Sequence, residues 1–206
     1  MEDKPRADRR VIRTKRLISK AFTELLQQKA FSSITVEEIT EKADLGRTTF
    51  YLHFHDLEEL LDHVQTELFY GFLDAGFSKN MDYLLEPYFI NEHQQALTGA
   101  LEYAKNNART FHAVFSVKGD AVFDQLLFTN FEQRYPHVVY QNGSYLPSLS
   151  YRHEYPIVYF LSANLSVVKR WLMKGCPEEP RELAIYLLQL TEPFRRCFWN
   201  EPSANS

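Results

Sequence analysis

Apolar residues in this chain recur three and four positions apart almost from end to end, the period of helices that bury one face. Over residues 8–29 the stripe is Val11, Ile12, Ile18, Ala21, Phe22, Leu25 and Leu26, which predicts a first helix with its basic residues turned outward. Thr35 fits an N-cap, Glu38 follows at the capping-box position, and Val36, Ile39 and Ala43 give a short second helix. Asp44, Leu45 and Gly46 break it, with Gly46 the expected residue for a positive φ. A third helix is predicted over residues 47–53. Asp56 and Glu59 repeat the capping pattern and open a fourth that runs to Phe77.

Residues 78–92 lose the period, contain Pro87 and read as a connection. Helical patterning returns over residues 92–107, 109–116 and 120–134. Asn142-Gly143, flanked by Val138, Val139, Tyr140 and Tyr145, is a hairpin signal, but a hairpin with no sheet to join is marginal. A long loop over residues 136–152 is the expectation. Residues 153–174 form the most apolar helix, stopped by Gly175. Pro180 opens a last helix on Leu183, Ala184, Leu187, Leu188 and Leu190, which ends or kinks near Pro193. The prediction is an all-α chain of about nine helices.

Within that series, residues 34–61 (ITVEEITEKADLGRTTFYLHFHDLEELL) stand out. A short helix, a tight break and a second helix make a helix-turn-helix, whose second helix can enter the major groove of double-stranded DNA. On that helix Arg47 can donate two hydrogen bonds to guanine or grip a phosphate, and Thr48 and Thr49 each pair a hydroxyl with a methyl. Tyr51 and His53 bring donors for phosphates, Phe50 and Phe54 face inward, and Thr35 marks a helix N-terminus that can meet a phosphate. Each also has a plainer reading as surface or brace, and spacing alone does not decide between them.

Charge sharpens this. The chain as a whole carries −4. Residues 1–20 hold eight basic and three acidic side chains, while the remainder is acidic. A basic end on an acidic body suits a molecule that meets phosphate at that end. Composition is that of a globular domain, with 45% apolar residues. Cys176 and Cys197 have no metal or redox spacing. No apolar leader opens the chain and no stretch is long enough to span a bilayer, so a cytoplasmic protein without membrane partner is expected. His63 and Glu67 are an isolated i, i+4 pair, and neither metal, cofactor nor catalytic constellation is expected.

Residues 14–61 resemble the amino-terminal domain of the TetR family of bacterial transcription regulators. The likeness runs through Ile18, Ala21 and Phe22, Thr35-Val36-Glu37-Glu38-Ile39, Ala43, Leu45, Thr49-Phe50-Tyr51-Leu52-His53-Phe54 and Glu58-Glu59-Leu60-Leu61. The resemblance implies a helical homodimer in which three helices bind DNA and a fourth links them to a larger regulatory domain, here residues 1–55 and 56–206. It implies DNA-contact roles for Thr35, Gly46, Arg47, Thr48, Thr49, Tyr51 and His53. Three positions depart from the pattern. Gly46 stands where a polar cap is usual, Asp44 replaces a common glycine, and Leu57 replaces a frequent lysine. The basic residues 4–16 are expected to compensate as an arm.

The second half is similar to the regulatory domains of Gram-positive members, among them regulators of dihydroxyacetone-kinase operons. The resemblance implies a four-helix dimer interface from the last two helices, placed here on Ile157, Phe160, Leu161, Asn164, Val168, Trp171, Leu183, Leu187 and Leu190, an apolar face too wide for one chain to cover. It also implies an effector pocket among Tyr103, Phe111, Phe115, Phe123, Phe128, Phe131 and Tyr159, residues that serve equally well as core. The function expected is a homodimeric repressor on a palindromic operator, released by a small hydrophobic or aromatic effector. The alternative is a ligand-independent coregulator that works through a protein partner.

Overall fold

The computed structural model describes residues 6–77, 90–118, 121–134 and 154–199. Among them the regular elements are nine α-helices and one short 3-10 turn, with no strand. The helices are α1 (Arg6–Leu26), α2 (Val36–Ala43), α3 (Arg47–Tyr51), α4 (Leu57–Phe77) and α5 (Ile90–Asn106). They continue with α6 (Ala108–Lys118), α7 (Ala121–Arg134), α8 (Glu154–Met173) and α9 (Pro180–Trp199). The loop expected over residues 136–152 and most of the connection over residues 78–92 lie outside the described residues. No described helix is long and apolar enough to cross a membrane.

The chain divides into two compact units. The first joins Met1–Leu68 to Arg109–Asp120. Ile18 and Phe22 of α1, Ile39 of α2, Phe50 of α3, Leu60 and Leu61 of α4 and Phe111 of α6 make its core, all essentially sealed from water. The α1–α2 seam is closed at its rim by Lys42 on Glu24 at 2.9 Å. Across the unit the Gln27 amide donates to the Thr110 hydroxyl at 3.2 Å.

Local chemistry sets the ends of α2. The Thr35 side chain accepts from the Glu38 amide, and Glu38 in turn accepts from the Thr35 amide, so the expected capping box is present. At the other end the Leu45 amide reaches the Thr40 carbonyl at 2.9 Å and the Asp44 amide the Glu41 carbonyl at 3.2 Å. These two bonds close a Schellman turn. They require a left-handed residue directly after the helix, and Asp44 takes it at φ 54°. Gly46 is extended at φ −79°, which corrects the expectation that it supplies the positive φ. The turn is dictated by where α2 ends, and Asp is among the few residues that tolerate the conformation.

α4 opens on the expected pair, with the Glu59 amide donating to Asp56 at 2.8 Å and Glu59 accepting from the His55 amide at 2.7 Å. One turn further on, the His63 ring lies 5.2 Å from that of Phe54. Its Nε2 is 3.6 Å from Glu67, and Lys15 sits over the Phe54 ring. Burial above all, then the Lys15 charge, holds the His63 imidazole below the ordinary histidine range, against the opposite pull of Glu67 and Glu59.

The second unit joins Phe69–Ala108 to Ala121–Ser206. In it α5 packs on α9, α7 on α8, and α8 against both α5 and α9. The last turns of α4 cross α5 at backbone contact. A Cβ on Gly76 would lie 2.3 Å from the Ala96 carbonyl oxygen, and one on Gly99 2.6 Å from that of Ala75. The α8–α9 corner is another Schellman turn, with Gly175 at φ 80° and the Cys176 amide on the Trp171 carbonyl at 3.0 Å. The Trp171 indole donates to the Glu178 carbonyl at 3.1 Å, which ties the corner down. α9 does not stop at Pro193 but runs to Trp199, since one missing amide removes a single bond from a packed helix.

Two stability predictions follow from the first unit. Asp44→Gly should raise the free energy of unfolding by up to about 1 kcal/mol and Asp44→Val should lower it, because only the first relieves the left-handed conformation. Urea midpoints that move together, or not at all, would refute the assignment. For His63, a depressed folded value means that the unfolded chain protonates first as pH falls. Its contribution is intact above the ordinary histidine range and is lost as pH drops through that range toward the folded value. Urea midpoints at about pH 7.5 and about pH 5 should therefore diverge less in His63→Gln than in wild type. Equal divergence in the two proteins would assign the titration elsewhere.

Candidate nucleic-acid interface

α3 has five residues and a glycine N-cap with no side-chain hydrogen bond. Its direction comes from beneath: Phe50 is fully buried, Phe54 just beyond it is buried too, and their ring centroids are 5.8 Å apart. With Phe50 turned inward, the helix presents Gly46, Arg47, Thr48 and Tyr51 to solvent, with Thr49 half-buried at the edge. The Tyr51 ring stands edge-on to Phe50 at 5.4 Å and still leaves half of the residue exposed, so one side chain braces and reaches outward. His53 is half-buried. Thr35 is exposed at the start of α2, where its hydroxyl is held by Glu38. The Lys29 ammonium, more than Thr35, holds the Glu38 carboxyl below the usual carboxylate range.

Two features escaped the sequence reading. Leu52, at 75% exposure, is the most exposed large apolar residue described. Its place in the periodic pattern gave no hint, because α3 ends one residue before it. The second is the shape of the basic end. Residues 6–26 are helical, so the expected arm is, from Arg6 onward, the rigid start of α1. Arg9, Arg13, Arg16 and Lys20 are spaced four, three and four apart and form an exposed ridge on one face. Among the described residues no carboxylate pairs with those three arginines, and Lys20 approaches Glu24 only at 4.0 Å. That face can offer several cations to a polyanion.

The regulatory half rearranges the expected sites. A cavity of about 110 Å³ lies inside the second unit. Of the aromatic residues expected to line a pocket, Phe123 lines this cavity. Phe111 and Phe115 belong to the first unit, where their rings meet at 5.6 Å. The Tyr103 ring fills the space over Gly71, Phe128 is half-buried off the cavity, and Tyr159 is 69% exposed. The Phe131 side chain lies outside the described residues.

Conversely, Phe160, Leu161, Asn164, Val168 and Leu187, expected at a dimer interface, line that cavity. Trp171 and Leu183 are also buried within the single chain. The premise that one chain cannot cover this face is therefore corrected: α5, α7 and α9 cover it, and buried side chains have little area left for a second subunit. Leu190 alone of the set is largely exposed, at 68%, and the Ile157 side chain lies outside the described residues. The open surface of α8 carries Tyr155, Tyr159, Ser162, Ala163 and Ser166, and that of α9 carries Ile185, Tyr186 and Leu190. Among the described residues no three His, Cys, Asp or Glu side chains gather where a metal could be held.

Comparison with known proteins agrees with this architecture. Residues 18–64 match the family model of bacterial regulatory proteins, tetR family. Residues 91–193, half of the chain, match that of a transcriptional regulator C-terminal region. The chain is 43% identical over 61 residues to an uncharacterized HTH-type transcriptional regulator, YxbF, of Bacillus subtilis, covering 29% of this chain and 16% of that one. It is 27% identical over 118 residues to the HTH-type dhaKLM operon transcriptional activator DhaS of Lactococcus lactis, covering 56% of this chain and 61% of that one. The matched part thus spans less than two thirds of either relative. A solved structure of a dihydroxyacetone kinase operon activator, DhaS, shares the fold, with a TM-score of 0.61 at 22% identity over 91% of this chain and 98% of that one. These relatives are named as regulators of transcription, not as enzymes. One family model takes in the helix-turn-helix and another most of the helical body, and on both the chain belongs to the TetR family of bacterial regulatory proteins.

Proposed function

We propose that this protein is a cytoplasmic, homodimeric regulator of transcription that reads a palindromic operator and is released from it by a small-molecule effector. The observation that carries the reading is the α3 surface, where Arg47, Thr48, Thr49 and Tyr51 are aimed outward by two buried phenylalanines. Residues 1–55 serve as the reading head and residues 56–206 as the effector-binding and dimerising body. Arg47 contacts a guanine edge or its phosphate, Thr48 and Thr49 contact bases, and Tyr51, His53, Thr35 and the amide end at Gly46 hold the backbone. The arginine ridge on α1 supports the same reading, since phosphate contacts supply most of the affinity. An effector in the body acts on the head through α4, which supplies residues to both units.

Dimerisation is assigned to the exposed faces of α8 and α9, in place of the buried residues first expected. Tyr155 and Tyr159 lie one turn apart on α8, and Ile185, Tyr186 and Leu190 share a face of α9. Ser162, Ala163 and Ser166, further along α8, are small enough for a facing helix to approach closely. An apolar surface of this kind is a liability for a lone chain.

The sign of regulation has a second reading. The similar Lactococcus protein is named an operon activator, which favours activation over the repression expected from the sequence. Reporter expression from the neighbouring promoter separates them: deleting this gene raises it for a repressor and lowers it for an activator.

Two measurements test the core of the proposal. In a mobility-shift assay with DNA flanking the gene, Arg47→Ala should weaken specific binding by about 1–3 kcal/mol, roughly fivefold to 150-fold, with little effect on the melting temperature. Wild-type affinity would remove Arg47 from the interface. In light scattering, wild type should have twice the 24.3 kDa mass of the chain and Tyr159→Glu with Leu190→Glu should approach a single mass while staying folded. A double variant that stays dimeric would place the interface elsewhere.

A further inference from the structure

We infer that the cavity in the second unit takes a small, uncharged, largely apolar molecule, one aromatic ring with at most a single hydroxyl. The inference rests on the reading above that this body binds an effector, and it names the chemical class of that effector.

Size sets the first limit. The cavity holds about 110 Å³. Cavities of similar size lined by Leu, Ile and Phe stay dry and bind benzene.

The lining sets the second. Phe69 of α4 and Phe123 of α7 meet edge to face with centroids 5.0 Å apart, and Leu73, Phe160, Leu165 and Leu187 complete most of the wall. A flat ring entering here meets aromatic edges and methyl groups along most of the wall. None of the lining residues is Asp, Glu, Lys or Arg. His93 is the one ionisable side chain on the wall, and a carboxylate or phosphate would give up its hydration for that single imidazole, too little to offset the loss in an otherwise apolar lining.

The polar groups set the third. The Asn130 amide donates to the Leu126 carbonyl at 2.9 Å, the Asn164 amide to the Phe160 carbonyl at 2.7 Å, and the Thr191 hydroxyl to the Leu187 carbonyl at 2.7 Å. Each of these three lining residues spends a donor on its own helix, four residues back. What these residues still offer a guest is their oxygens and the second amide hydrogen of each asparagine, so a guest with a single hydroxyl, which both donates and accepts, suits the site.

The test uses the full chain with phenol and benzoate, a pair matched in ring size and opposed in charge. Calorimetry and thermal shift should show that phenol binds saturably and that benzoate at the same concentration does not. Leu127→Phe, which fills the cavity from α7, should weaken phenol binding by about tenfold or more, and the milder Val168→Ile by less. Benzoate binding as well as phenol, no binding of phenol at all, or a folded Leu127→Phe with unchanged affinity would each overturn the inference. The underlying reading fails separately. Phenol that binds as described but leaves the affinity for operator DNA unchanged would refute effector release and keep the site. DNA release by larger or charged compounds, with phenol not bound, would refute the site and keep effector release.

Discussion

A helix of five residues cannot stand alone, because nucleating it fixes more backbone than its few hydrogen bonds stabilise. α3 is such a helix, and its glycine cap gives it no side-chain bond at the start. What holds it is the burial of Phe50 and Phe54, which lock one side of a single turn into the core of the first unit. Fully burying a Phe contributes about 1.5–3 kcal/mol, so two of them outweigh a missing cap worth about 1 kcal/mol. Because the phenylalanines fix the inward side, they also fix which side chains point out. The chemistry of Arg47, Thr48 and Tyr51 thus depends on two residues that never touch a ligand. Thr35 and Asp44 contribute by holding both ends of α2, against which α3 is set.

The second unit is organised by the opposite condition, space left unfilled. An enclosed cavity costs about 24 cal/mol per Å³, so this partly open one of about 110 Å³ costs at most about 3 kcal/mol. A single larger side chain could remove that cost. Nor can the void close by a nearer approach of α4 to α5. α4 and α5 already meet at backbone contact at Gly76 and Gly99, which leaves no room to bring them nearer. Packing that holds an apolar void open, at that cost, is what a binding site for a small apolar guest requires.

How much of this was legible in the sequence depended on how local its cause was. The capping box at Thr35, the start of α9 at Pro180 and the stop at Gly175 are set by neighbouring residues, and each lies where the pattern placed it. The inward direction of Phe50 and Phe54 was equally plain from their spacing. The left-handed turn residue was misplaced because glycine is the general favourite, whereas the bonds that end α2 fall on Asp44. Faces were harder than elements. α8 carries a broad apolar face with Tyr155 and Tyr159 beside it, so its period does not say which stripe meets its own chain. That choice is made by α5, α7 and α9, far away in sequence, and it turned Phe160 and Leu161 inward to the cavity and Tyr159 outward. Phe111 illustrates the same limit: nothing near it in sequence indicates that α6 joins the first unit.

α4 is where the two conditions meet. Leu60, Leu61 and Val64 are buried in the first unit, while Phe69 and Leu73, one to three turns on, line the cavity in the second. A guest changes DNA binding only if it prefers one of two conformations of the protein, however tightly it binds. The cavity supplies a reason for such a preference. In any conformation where the end of α4 slides to fill the void, the protein regains the lost contacts by itself and the guest has no place. In the open conformation only the guest can regain them. The stabilisation available to the guest is then of the order of the cavity's own cost, at most about 3 kcal/mol, which is the upper end of the usual 1–3 kcal/mol of allosteric coupling. If the body binds an effector as proposed, the same void that weakens the fold sets the largest effect an occupant can have on the proposed reading head.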